Sequence, residues 1–76
     1  MKELVEVLAR ALVDKPDAVR VTETGGTSTV VLEVRVDPDD MGKVIGRQGR
    51  VVKAIRTVVK AAGIKQGKKV SVEVVQ

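Results

Sequence analysis

Apolar residues along this chain keep two rhythms, and the points where one gives way to the other mark its elements. Between Lys2 and Val13, Leu4, Leu8, Ala11 and Leu12 share one face with Val5 beside them, at the three-and-four spacing of a helix. Pro16 stops that helix and already pushes Lys15 out of the helical region. The rhythm then becomes alternation. Val19 and Val21 flank Arg20 in a short strand, and Gly25-Gly26 supplies a turn with Thr and Ser on both sides. Val30, Leu32, Val34 and Val36 then alternate with Val31, Glu33 and Arg35, which describes a strand with one buried face.

Helical signals return at Asp37-Pro38-Asp39-Asp40. Asp37 can cap, Pro38 suits the first helical position, and Asp39 and Asp40 meet the positive end of the dipole. This helix is short and ends near Ile45, with Gly46 just beyond it. A second helix begins after Gly49, runs to about Ala62 and is closed by Gly63. At roughly 100° per residue it places Val51, Ile55, Val58, Val59 and Ala62 on one side and Arg50, Lys53, Arg56 and Lys60 on the other. A loop over 64–69 follows, and Val70, Val72 and Val74 form a last alternating strand. The order α-β-β-α-α-β fills one domain, residues 1–76. Three one-faced strands and three one-striped helices are satisfied most economically by an α+β sandwich with every helix on one side of the sheet.

Charge divides the chain. Residues 1–40 carry nine Asp/Glu and five Lys/Arg, while residues 41–76 carry nine Lys/Arg and a single acid, Glu73. The overall charge of +4 therefore hides halves of −4 and +8. Such a split points to a polyanion partner for the second half, against the plainer reading of a solvated basic face. Composition removes other chemistry. With no His and no Cys, the commonest general base and the thiol nucleophile are missing, and Ser28 and Ser71 have no histidine to activate them. No enzyme activity, cofactor or small-molecule substrate is expected. Asp37, Asp39 and Asp40 lack the further oxygen ligands of a calcium loop, so capping explains them and no metal is expected. With no aromatic residue, bases cannot stack on rings. A domain this small buries only roughly 60% of its unfolded surface, so its core is thin. The lack of cysteine fits a reducing compartment, no run is long enough to span a bilayer, and Met1-Lys2-Glu3-Leu4 does not read as a signal peptide. The expectation is a soluble cytoplasmic protein.

Gly46-Arg47-Gln48-Gly49 lies in the middle of the basic half, between the two helices. Glycines permit a sharp bend and close approach by another backbone, and the helix that follows offers unpaired N–H groups at its positive end. Together with the cations, this describes a seat for a phosphodiester chain.

The run Val44-Ile45-Gly46-Arg47-Gln48-Gly49-Arg50-Val51-Val52-Lys53-Ala54-Ile55 resembles the core of a KH domain, with its Gly-x-x-Gly loop between two helices. The element order resembles the type II arrangement. Over essentially its whole length the chain is similar to the small stand-alone bacterial KH proteins of the KhpA family, including Asp37-Pro38-Asp39-Asp40-Met41-Gly42-Lys43. The resemblance implies a three-stranded mixed sheet under three helices, and a groove holding about four nucleotides of single-stranded RNA, clamped by the loop. Carried onto this chain, Gly46 and Gly49 admit the sugar-phosphate and Arg47 and Gln48 project from the loop tip. Arg50 and Lys53 add charge, Lys43 reaches the same strand, and Val44 or Ile45 floors the groove. Lys65, Lys68 and Lys69 fall in the variable wall of the groove, while Arg56 and Lys60 are expected on a solvated helix face. The resemblance further implies RNA regulation linked to cell elongation and division, with the domain paired to itself or to a larger KH-containing protein. Val31, Val52, Val59 and Val75 are candidates for that pairing surface. An adaptor that docks an acidic protein is the alternative. A reader of duplex DNA is disfavoured, because the helix after the loop must bury a wide apolar face.

Overall fold

The structure, a computed structural model, describes residues 1–75. Helix α1 spans Lys2–Leu12, strands β1 and β2 span Arg20–Gly25 and Thr29–Arg35, helices α2 and α3 span Met41–Ile45 and Arg50–Lys65, and strand β3 spans Lys69–Val75. Short 3-10 turns at Pro16–Ala18, Pro38–Asp40 and Arg47–Gly49 join them. The sheet order is β1-β2-β3; β2 runs antiparallel to β1 and parallel to β3, so the sheet is mixed. A parallel neighbour cannot be reached by a hairpin, so the chain must cross over the sheet between β2 and β3. Helices α2 and α3 are that crossover, and β3 lies on a free edge of the sheet. The fold is the α+β arrangement of a type II KH domain.

Alternation in the strands sorts the sheet's two faces. Val30, Leu32, Val34 and Val36 point inward from β2 and its end, Val70 and Val72 from β3, and Val19 and Val21 from the start of β1. Val5 and Ala9 of α1, Val44 of α2, and Ile55 and Val59 of α3 meet them from the helical layer. Nearly all of this core is valine. Branching at Cβ fixes its rotamers, so the core has little room to rearrange when volume is added.

Helix α3 departs from the sequence expectation in two ways. Its buried stripe is Val52, Ile55, Val59 and Gly63, so Val58 lies half exposed and Val51 only partly covered. The helix packs beside β3 as well as over the sheet, and this rotates its inner face toward Val52. Val52 and Val59 are therefore buried within the domain itself and are not spare apolar surface. Gly63 does not close the helix. It is buried inside it, and a Cβ there would stand 2.6 Å from Val70 Cγ2 and 3.0 Å from the Lys68 carbonyl oxygen. The helix ends at Lys65 in a Schellman turn, with Gly67 in the left-handed region at φ 69°. There the Lys68 N–H donates to the Gly63 carbonyl at 2.8 Å and the Gly67 N–H to the Ile64 carbonyl at 3.0 Å.

Two effects oppose each other at position 63. Alanine has a helix propensity about 1 kcal/mol better than glycine. Overpacking a tight core costs about 1–3 kcal/mol, and here the neighbours are a stiff valine and a backbone carbonyl. Urea unfolding of Gly63→Ala is expected to show a net loss of about 1 kcal/mol. Gly26→Ala, whose Cβ would meet nothing within 4 Å, is the control and stays near wild type. A stabilised Gly63→Ala variant contradicts the close approach.

Candidate functional site

The loop between α2 and α3 is built by three backbone choices. Gly46 lies at φ 78° and ends α2, its N–H donating to the Gly42 carbonyl at 2.8 Å. Gln48 sits in the left-handed region at φ 57°, and Gly49 follows at φ 73°. For a non-glycine residue that region costs about 1–2 kcal/mol, so Gln48 is held there by the turn around it. The two glycines serve different ends. A Cβ on Gly46 would run into Val51, meeting its Cγ2 at 2.3 Å and its backbone nitrogen at 2.8 Å, whereas one on Gly49 would meet nothing. Gly46 is thus required by the protein's own packing. Gly49 leaves open space at the N-terminus of α3, where no side chain caps; its own N–H donates to the Gly46 carbonyl at 3.1 Å and that of Arg50 to the Arg47 carbonyl. Arg47 and Gln48 are exposed at the tip, and Arg50 Nη2 donates to Gln48 Oε1 at 3.1 Å.

Beyond this loop, a groove of about 500 Å³ lies between α3 and the free-edge strand β3, lined by Lys53, Arg56, Thr57 and Lys60 on one wall and Lys69, Val70, Ser71, Val72 and Glu73 on the other. Lys53, Arg56 and Lys60 stand at the i, i+3, i+7 spacing of one helical stripe. Among the described residues, Lys53, Lys60, Lys69 and Arg47 make no ion pair. Arg56 spans the groove, its Nε donating to the Val72 carbonyl oxygen at 3.0 Å. Arg56 and Lys60 are exposed, as the sequence predicts for a solvated face, and that face is also one wall of the groove. Their spacing with Lys53 is visible in the sequence, but the strand across from them, brought there by the crossover, is not.

The other expected residues fall as follows. Lys53 lines the groove. Val44 is 1% exposed and belongs to the core, while Ile45 is half-buried beside the loop. Lys43 is committed elsewhere. Its Nζ lies 2.6 Å from Asp14 Oδ2 and 3.2 Å from Asp40 Oδ1. Asp40 is the buried charged residue of the described chain, 1% exposed. Its other oxygen accepts from the Lys15 backbone N–H at 3.0 Å. Asp37 caps the following turn as expected, accepting from the Asp39 N–H at 2.9 Å. Asp40 instead ties the α1–β1 connection to α2, and Lys15 adds pairs to Asp39 and Asp37 at 3.2 and 3.5 Å.

Burial pushes the Asp40 carboxyl up, but the backbone N–H groups of Lys15 and Asp14 and the Lys43 ammonium outweigh it and hold it below its ordinary 3.8. Asp14, then Asp40, hold Lys43 above its ordinary 10.5. A depressed carboxyl stabilises the fold above its unfolded pKa, and that contribution is lost as pH falls through the folded value. Asp40→Asn is therefore expected to be less stable than wild type at neutral pH, with the gap closing below about pH 4. Urea unfolding across pH checks this; a gap unchanged by acid contradicts the ionic role.

A family model described as "KhpA/KhpB, KH domain" matches residues 2–74. An RNA-binding protein KhpA of Clostridium perfringens is 63% identical over 75 residues, covering 99% of this chain and 100% of the relative. The RNA-binding protein KhpA of Aquifex aeolicus is 53% identical, covering 100% of this chain and 96% of its own length. Among solved structures, a crystal structure of a point variant of Aquifex aeolicus Era bound to GDP.AlF4- aligns with a TM-score of 0.69 at 19% identity, over 96% of this chain and 28% of that one; it shares the fold. With its glycine loop, mixed sheet and full-length match, the chain belongs to the KhpA/KhpB family of KH domains.

Proposed function

We propose that this protein is a non-enzymatic RNA-binding module that holds single-stranded RNA along the loop and the α3–β3 groove. The observation that carries this reading is that one helix, α3, starts at the glycine loop and supplies the cationic wall of the groove from Lys53 onward. Arg47 at the loop tip and Lys53, Lys60 and Lys69 in the groove make no ion pair, and Gly49 presents no Cβ at the helix start. Phosphates take the loop and the groove lysines, and bases turn in between α3 and β3. Lys43 and Val44 contribute indirectly, Lys43 by fixing Asp40 and Val44 by packing α2. A footprint of about four nucleotides fits a domain of this kind. The relatives named RNA-binding protein KhpA support RNA as the ligand.

Replacing Arg47 and Gln48 with Asp while keeping both glycines tests the loop. Asp tolerates the left-handed region that Gln48 occupies, so the fold is expected to survive. Binding to short single-stranded RNA, measured by fluorescence anisotropy, is expected to fall at least tenfold at physiological salt, because two phosphate contacts become repulsive. Wild-type affinity in this variant contradicts the clamp.

A single groove touching a few nucleotides binds weakly, and two linked grooves gain avidity without new contacts. We place the pairing surface on the opposite side of α3. There an apolar groove of about 240 Å³ runs between α1 and α3, lined by Leu8, Ala11, Leu12, Val51, Ala54, Ile55 and Val58. No charged residue lines it, so a second copy seats there without burying a cation and leaves both basic grooves open. Pairing with a larger KH-containing protein would use the same face; a role in post-transcriptional control of cell elongation and division is carried over from the family resemblance alone. Sedimentation is expected to show wild type as a dimer and Val58→Asp as a folded monomer; a dimer that survives the substitution excludes this face.

A further inference from the structure

We infer that Arg56 is the residue through which the groove distinguishes bases. The inference rests on the single-strand reading above and adds to it a specificity-determining contact.

Four observations converge on Arg56. It stands at the centre of the cationic stripe, with Lys53 one turn before it and Lys60 one turn after. The lysines make no ion pair and carry flexible stems, whereas Arg56 is pinned across the groove by its bond from Nε to the Val72 carbonyl. That bond leaves the four N–H groups of the two terminal nitrogens unspent. Finally, the chain contains no Phe, Tyr, Trp or His. With no ring to stack bases in this groove, the guanidinium, whose donors lie in one fixed plane, is the group placed to read a base edge.

The bond to Val72 also changes what the groove floor offers. Val72 lies on the free-edge strand, and its carbonyl points off the sheet toward α3. Left alone, it would present an acceptor to an incoming base. Covered by Arg56, that acceptor is replaced by donors held in a fixed plane. Phosphates do not need such a group, since mobile lysines on the rim neutralise them. A planar donor set on the floor faces the bases instead, and uracil, with two carbonyl oxygens, suits it better than adenine.

Arg56→Lys tests this, because it keeps the charge and removes the plane. Affinity for short oligouridylate and oligoadenylate is measured for wild type and variant over a range of salt, with the Arg47/Gln48 double Asp variant alongside. Wild type is expected to prefer oligouridylate. Arg56→Lys is expected to lose about fivefold or more on oligouridylate, to bring the ratio between the two oligomers near one, and to keep the wild-type salt slope. Wild-type binding by Arg56→Lys overturns the inference, since charge alone then suffices. An equal loss on both oligomers overturns it too, because that marks a strut that only sets the width of the groove. A salt slope lowered by about 0.7 in Arg56→Gln marks a phosphate contact and overturns it equally. Full binding by the double Asp variant instead strikes at the single-strand reading itself, so the two failures are told apart.

Discussion

The parallel pairing of β2 with β3 is the constraint on which the rest depends. Two parallel strands cannot be joined by a tight turn, so the chain must climb off the sheet, cross it and descend on the far side. In this small domain the crossover consists of one short helix, one sharp bend and one long helix. The bend falls at Gly46–Gly49, and the descent lays α3 alongside a strand whose outer edge is unpaired. Loop and groove are thus two consequences of one topological requirement. Glycine is spent where the crossover is tightest: at Gly46 against Val51 and at Gly63 against Val70.

Helix α3 carries three faces, and each has its own task. Val52, Ile55, Val59 and Gly63 close the core, Lys53, Arg56 and Lys60 line the groove, and Val51, Ala54 and Val58 look toward α1. At roughly 100° per residue the cationic stripe lies away from the apolar α1 side, while Ile55 belongs to both the core and the α1–α3 groove. The charge split of the sequence has a matching spatial logic. Acids of the first half gather where Asp14, Asp37, Asp39 and Asp40 fasten Lys15 and Lys43, away from the groove. Lys53, Lys60 and Lys69 make no ion pair along the groove, although Glu73 lines it too.

Local signals carry most of this. Alternation places the strands, apolar spacing places the helices, and the flanks of the glycine loop mark both the family and the loop end of the site. What escapes is whatever depends on residues distant in sequence. Asp40 stands three residues before Lys43, but the shorter pair, to Asp14, lies 29 positions away, so the sequence near Lys43 shows only part of what holds it. Arg56 and Lys60 read as a solvated face and are exposed, but that this face also walls a groove depends on the strand opposite, which arrives only through the crossover. Gly63 reads as a helix end because a glycine that stops a helix and one that admits a neighbour look alike in sequence. Gly67, four residues later, fills the stopping role.

The most direct check is a nitrogen–proton correlation spectrum recorded while short single-stranded RNA is added. Shifts concentrated at Gly46–Arg50, Lys53, Arg56, Lys60 and residues 69–73, including the side-chain Nε of Arg56, are the expected result. Shifts gathered instead around Leu8, Ala11 and Val58, or no response from the loop and β3 at saturating RNA, are irreconcilable with a strand lying between that helix and that edge.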